Sequence, residues 1–193
     1  GLHNDFNVSA NSGFALARYR RDGQLDTSFS GDGRVVTPLG GTAVAHAVVI
    51  QLDDRIIAGG YVDATSEENP DALRGFALTR YRPNGNLDTS FGGDGIVITQ
   101  RRNLNIIYGL ALQPDGKIIA AGQAYDRATS RSDFALARYL ANGRLDTSFG
   151  TRGIVVTDFG GQNDYSKAIA LQPDGKIVVV GQGDPVTGVI VFG

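Results

Sequence analysis

Short apolar runs separated by turn residues fill the chain, and their order predicts strands rather than helices. Apolar runs at Gly109–Gln113 and Lys117–Gly122 flank Pro114-Asp115-Gly116. Asp-Gly between two such runs is a hairpin signal, because glycine accepts the positive φ the turn requires. The pattern returns at Ala168–Gln172, Pro173-Asp174-Gly175 and Lys176–Gly181. A degraded copy pairs Val48–Gln51 with Arg55–Gly59; Leu52 and Asp54 replace the proline and glycine, so a looser turn is expected there. A third strand follows, in which Phe134, Leu136 and Arg138 alternate with Ala135, Ala137 and Tyr139. Both of its faces are largely apolar, as in a sheet covered on both sides. Next come the turns Asp22-Gly23, Asn84-Gly85 and Asn142-Gly143, and then β-branched fourth strands at Val35–Thr37, Ile96–Thr99 and Ile154–Thr157. No helical apolar period is sustained anywhere.

These strands recur as a unit. Phe-Ala-Leu-(Ala/Thr)-Arg-Tyr stands at Phe14–Tyr19, Phe76–Tyr81 and Phe134–Tyr139, and Leu-Asp-Thr-Ser-Phe follows from Leu25, Leu87 and Leu145. A period near 60 residues with four antiparallel strands per period predicts an all-β fold, a β-propeller of about three blades. A two-layer sandwich gives no reason for such a period. The chain divides into one propeller segment with units at about 1–43 (partial), 44–105, 106–163 and 164–193 (partial), and Val186–Phe192 reads as one further strand. Three blades are too few to close a ring and leave strand edges unpaired. The expected partner is therefore a second copy, in a homodimer that completes a six-bladed ring, or the remainder of a longer propeller.

Composition adds bounds. The 193 residues are 41% hydrophobic and 20% charged, which is globular, and the 27 glycines sit mostly at the recurrent turns. A net charge of −2 with no basic block beyond Arg101–Arg102 argues against nucleic-acid binding. No apolar run approaches the roughly 20 residues of a membrane helix. Cysteine is absent, which removes disulfides and thiolate metal sites. The chain opens at Gly1 without methionine, so any targeting signal is expected to be gone already.

Phe-Ala-Leu-Ala-Arg-Tyr, Asn-Gly-x-Leu-Asp-Thr-Ser-Phe-Gly-Gly-Asp-Gly and Leu-Gln-Pro-Asp-Gly-Lys-Ile together resemble the delta-60 repeat family of bacterial β-propellers. The resemblance covers nearly the whole chain. It implies a propeller that is secreted or attached to a bacterial surface, and it brings no catalytic residues to carry over. Leu52, Asp54 and the pair Thr151-Arg152 depart from the pattern.

Candidate chemistry divides between what repeats and what does not. Asp26, Asp32, Asp88 and Asp94, with Ser28 and Ser90, form oxygen-rich runs that suggest calcium. Their spacing is not that of an EF-hand, Arg152 replaces the second aspartate in the third copy, and the same residues cap turns. No cofactor is therefore expected, with calcium as the alternative. Arg18, Arg80 and Arg138 recur with Asp26, Asp88 and Asp146, as an internal ion pair in every blade would require. His3 and His46 are the only histidines; His46, read as preceding a first strand, is the candidate base if the protein is an esterase- or glycosidase-type hydrolase acting at the channel. The segments that differ between copies are 61–74 and 125–132, joining second to third strands, and 38–46, 100–108 and 158–167, joining fourth to first. They emerge on one face. That face offers Tyr61, Asp63, Glu67, Glu68, Arg101, Arg102, Tyr125, Asp126, Arg127, Asp164 and Tyr165. Tyrosines beside charges suit a carbohydrate or a protein ligand. A non-enzymatic, extracellular binding module is expected, with a purely structural repeat segment as the further alternative.

Overall fold

A computed structural model describes residues 12–64, 74–100, 104–126, 128–161 and 163–183. These hold twelve strands: β1 (Gly13–Ala17), β2 (Arg34–Pro38), β3 (Thr42–Ile50), β4 (Ile56–Asp63), β5 (Arg74–Tyr81), β6 (Ile96–Thr99), β7 (Leu104–Leu112), β8 (Ile118–Asp126), β9 (Arg131–Tyr139), β10 (Ile154–Thr157), β11 (Tyr165–Leu171) and β12 (Ile177–Gln182). Two four-stranded sheets run β3-β4-β5-β6 and β7-β8-β9-β10, and two-stranded sheets β1-β2 and β11-β12 flank them. All pairings are antiparallel between strands adjacent in sequence. Residues 1–11, Glu67, Glu68, Arg101, Arg102, Arg127 and Val186–Phe192 lie outside the described residues.

First strands lie innermost, with β3 against β7 and β7 against β11, at the sheet edges opposite β6 and β10. The core fills the space between successive sheets. Ile57, Phe91, Leu104, Ile107, Ile118 and Tyr139 belong to the cluster between the two full sheets, and Phe14, Phe29, Val62 and Tyr81 to the one before it.

The sheets are joined by a junction that repeats. The Tyr81 hydroxyl lies 2.7 Å from Thr37 Oγ1, and the Tyr139 hydroxyl 2.8 Å from Thr99 Oγ1. Arg18 Nη1 donates to the Pro83 carbonyl at 2.5 Å, and Arg80 Nη1 to the Ala141 carbonyl at 2.6 Å. The Ser30 and Gly92 N–H groups donate to Asn84 and Asn142 carbonyls. Phe29 and Phe91 press so closely on Gly85 and Gly143 that a Cβ there would lie 3.1 and 2.9 Å from the rings. Each arginine also covers its own blade's phenylalanine, at 4.8, 4.7 and 4.6 Å for Arg18–Phe29, Arg80–Phe91 and Arg138–Phe149.

Two sequence expectations change. The turn at Leu52–Asp54 is not loose: Gln51 N–H meets Arg55 O at 2.8 Å and Asp54 N–H meets Gln51 O at 3.0 Å, closely matching Gln113–Lys117 and Gly116–Gln113. Asp54 reaches this geometry at φ +61°, a left-handed conformation aspartate tolerates. The first strands also begin earlier than the alternation suggests, at Thr42, Leu104 and Tyr165. Register breaks at Ala45/Ala47, Ile107/Gly109 and Ser166/Ala168 explain this, because a β-bulge inserts one residue and reverses the apolar phase.

Candidate functional site on the inner strands

The residue inserted at the equivalent bulge differs between sheets: His46 in β3, Tyr108 in β7, which has a second irregularity at Asn105, and Lys167 in β11. His46 therefore does not precede its strand but lies within it, and its counterpart in the next blade is Tyr108. A bulge re-aims the side chain it carries. Here the three meet. The His46 and Tyr108 rings have centroids 5.3 Å apart, His46 stacks on Tyr61 at 5.9 Å, and Lys167 Nζ sits 4.8 Å from the Tyr108 ring and 5.9 Å from that of Tyr165. Tyr61 is the β4 residue paired with Val44, and Gln123 holds the matching place opposite Ile106. Gln123 is buried, and its Oε1 has no hydrogen-bond partner among the described residues.

The electrostatics follow from this packing. Desolvation by its neighbours, and then the Lys167 charge, lower the His46 pKa from its ordinary 6.5, so the imidazole is neutral at pH 7. Burial, with Tyr165 and Tyr61 nearby, pushes the Tyr108 phenol up. The strip is thus an aromatic surface with one cation upon it. It stacks on rings and attracts an anion.

A second group lies toward the rim. One carboxylate oxygen each from Asp133, Asp158 and Asp164 fall within 4.8 Å of one another, a spacing that a hard divalent cation can bridge. Asp164 Oδ2 accepts the Phe159 N–H at 2.8 Å, and Asp158 Oδ1 accepts the Gly160 N–H at 2.6 Å. Burial first, and then the charges of Asp158, Asp164 and Asp126, raise the Asp133 pKa above the carboxylate norm.

Of the variable-face candidates, Tyr61, Tyr165 and His46 join the inner strip, and Asp164 joins the acidic group. Asp63 ends β4 opposite Thr42 and Arg74. Tyr125 and Asp126 end β8, where Asp126 accepts the Ala128 N–H at 2.8 Å. Arg101 and Arg102 lie outside the described residues. Tyr108, Lys167, Asp133 and Asp158 were not singled out from sequence. Alignment of the copies on the hairpin turns already places His46, Tyr108 and Lys167 at one position, five residues before Gln51, Gln113 and Gln172, so the signal for the first two lay in the repeat itself.

The carboxylates considered for calcium have intrachain partners. Asp26 accepts from the Ser28 N–H and hydroxyl, Asp88 from those of Ser90, Asp32 from Arg34 and Asp94 from the Ile96 N–H. Asp88 is buried, with Arg55 Nε at 2.8 Å and Arg80 Nε at 2.9 Å. These approaches lie off the hydrogen-bond direction, so they act as charge pairs. Burial alone would raise the Asp88 pKa; the Ser90 hydroxyl and N–H with Arg80 and Arg55 outweigh it and hold it below the ordinary value.

A family model described as a β-propeller domain of unknown function (DUF5122) matches residues 5–29, 51–91, 113–149 and 172–191, more than half of the chain. No curated protein shows significant similarity to it. The chain belongs to this β-propeller family.

Proposed function

Within a propeller family of unknown function, we propose that this chain is a non-enzymatic binding module for an acidic carbohydrate, held along the inner-strand bulges. One observation carries the reading: the three equivalent bulges bear three different side chains, His46, Tyr108 and Lys167, which converge with Tyr61 and Tyr165 on one strip. Scaffold residues such as Arg80 and Asp88 repeat; these do not. Tyrosine rings pack on the C–H faces of sugars, the Lys167 ammonium pairs with a uronate carboxylate, and neutral His46 exchanges hydrogen bonds with hydroxyls.

The described neighbours of His46 do not favour it as the base of a hydrolase. Two phenol rings and an ammonium do not orient an imidazole as a carboxylate does. A secreted or surface location belongs to the same proposal and is tested by cell fractionation.

Calorimetric titration with oligogalacturonate beside a neutral glucan of equal length tests the reading. The acidic ligand is expected to bind more tightly. Lys167→Gln should remove that preference, at about 10-fold or more for a charge-assisted contact, and Tyr108→Ala should weaken both ligands. Equal binding of the two glycans, or indifference to both substitutions, would count against it. Cleavage of either glycan abolished by His46→Ala would favour the hydrolase.

A further inference from the structure

Where the two full sheets meet, the outer end of their junction opens into a cleft of about 520 Å³. Arg144, Leu145 and Thr147 of the second sheet's turn line one wall, and Val97, Ile98 and Thr99 of β6 line the other. The same junction occurs once before, between β2 and the turn that follows β5. Val35, Thr37, Leu87 and Thr89 stand there in the places of Val97, Thr99, Leu145 and Thr147. Those four positions build the junction, since they recur in kind. Arg144 does not recur, because its counterpart is Asn86.

The charges at the two junctions differ as well. At the first, the arginine is Arg34 of β2, and Asp32 Oδ2 accepts from its Nη2 at 3.1 Å and its Nε at 3.2 Å. At the second, Ile96 replaces Arg34, and an arginine stands on the opposite wall as Arg144. Its backbone N–H donates to Asn142 Oδ1 at 3.1 Å, but among the described residues no carboxylate pairs with its guanidinium. Arg144 is exposed, so its fork of donors is open to an outside carboxylate.

The backbone beside it is open too. β6 is the outer edge of its sheet. The Arg80 N–H donates to the Gly95 carbonyl at 2.9 Å, which sets the phase of the ladder. Val97 and Thr99 then bond to Leu78 and Phe76, while the N–H and C=O groups of Ile96 and Ile98 point away from β5. Asp94 Oδ1 takes the Ile96 N–H at 2.9 Å. Ile98 keeps its N–H and C=O facing outward, on the lip of the cleft that Arg144 lines. An unpaired edge beside a groove is what an extended peptide adds to, with side-chain contacts setting its preference.

We propose that this cleft binds an acidic segment of a partner protein in extended conformation, added as a fifth strand along β6. Ile98 supplies two backbone hydrogen bonds, a carboxylate of the segment pairs with Arg144, and its apolar side chains cover Val97 and Leu145. A small organic acid would meet Arg144 but leave the Ile98 groups unpaired, so a strand fits the cleft better. The edge of β2 offers the same backbone at Val36 without the cation, because Asn86 stands opposite it. That pairing of like edges with unlike walls gives the protein an internal control. The site lies at the sheet edge opposite the inner-strand bulges and does not depend on what they hold.

The probe is a fluorescein-labelled peptide, Thr-Val-Val-Glu-Glu-Val-Thr-amide, titrated with the full chain and followed by anisotropy. Adjacent glutamates put one carboxylate on each face of an extended peptide, so one meets Arg144 in either orientation. Saturable binding is expected, and Arg144→Asn, the residue of the first junction, should weaken it at least about 10-fold. Replacing both glutamates by glutamine should cause a similar loss, to which Arg144→Asn adds little. Methylating alternate peptide nitrogens should abolish binding, and in NMR spectra the peptide should shift the Ile98 amide but not that of Val36. Arg144 is exposed, and an unchanged melting temperature shows that the variant is folded. The proposal is overturned if no saturable binding appears in the millimolar range, or if Arg144→Asn binds the peptide as the natural chain does. It also fails if the methylated peptide binds equally well, which would make the cleft a carboxylate site only, or if Val36 shifts as much as Ile98.

Discussion

Phe29, Phe91 and Phe149 share one motif and one arginine contact, yet differ in cover, so truncating each to alanine separates packing from the local ion–ring attraction. The cation–π distances are 4.8, 4.7 and 4.6 Å, so that contribution is nearly constant. Phe29 and Phe91 are fully buried, and each touches the turn glycine of the following sheet. Removing a fully buried phenylalanine costs about 3–5 kcal/mol. Phe149 is partly exposed, and its replacement should cost less, roughly 2 kcal/mol. With a urea slope of about 2 kcal/mol/M, the midpoint falls by about 2 M for Phe91→Ala and about 1 M for Phe149→Ala. Urea unfolding followed by circular dichroism at sub-micromolar chain measures all three. Equal losses at all three positions in dilute chain would refute the argument that the inter-sheet junction, rather than the motif itself, carries the stability.

Three further expectations follow from the same contacts. Tyr139→Phe leaves the buried Thr99 hydroxyl without its partner and should cost about 1–3 kcal/mol, while Tyr19→Phe, at an exposed position, should stay within about 0.5 kcal/mol; thermal unfolding of both decides. The folded pKa of Asp88 lies below its ordinary 3.8, so its contribution is complete above that value and is lost as pH falls through the folded pKa; Asp88→Asn should flatten the acid limb of a stability–pH curve and lower the plateau. The Asp133 shift has the opposite sign, so stability falls as pH rises from 3.8 through its raised folded pKa. Asp158→Asn keeps an acceptor for the Gly160 N–H while removing a charge, and should raise the melting temperature at pH 7 more than at pH 3.

The blade was legible because its determinants are local. Asp-Gly and Asn-Gly turns and the alternation through Phe134–Tyr139 specify hairpins without reference to neighbours, and the recurrence of Arg80 with Asp88 implied a pair that the structure shows. The site was legible only in part. His46 and Tyr61 were visible as unrepeated residues, but the bulges that bring them together shift the alternation by one residue. The early part of each first strand therefore reads as loop in the sequence, with Tyr108 and Lys167 at the ends of two variable segments rather than as candidates. The acidic group was invisible for another reason: Asp133, Asp158 and Asp164 come from three segments whose proximity depends on the path between β10 and β11. Aspartate at φ +61° in the first hairpin shows that a missing glycine need not loosen a turn.

Repeated residues hold the blades together, and under the proposed function the unrepeated residues at the inner bulges meet an acidic glycan. Backbone amide shifts recorded by NMR during titration with oligogalacturonate test this most directly. Changes are expected to concentrate at His46, Tyr61, Tyr108, Tyr165 and Lys167. Changes concentrated instead at the repeated turns Asn84-Gly85 and Asn142-Gly143 would contradict it.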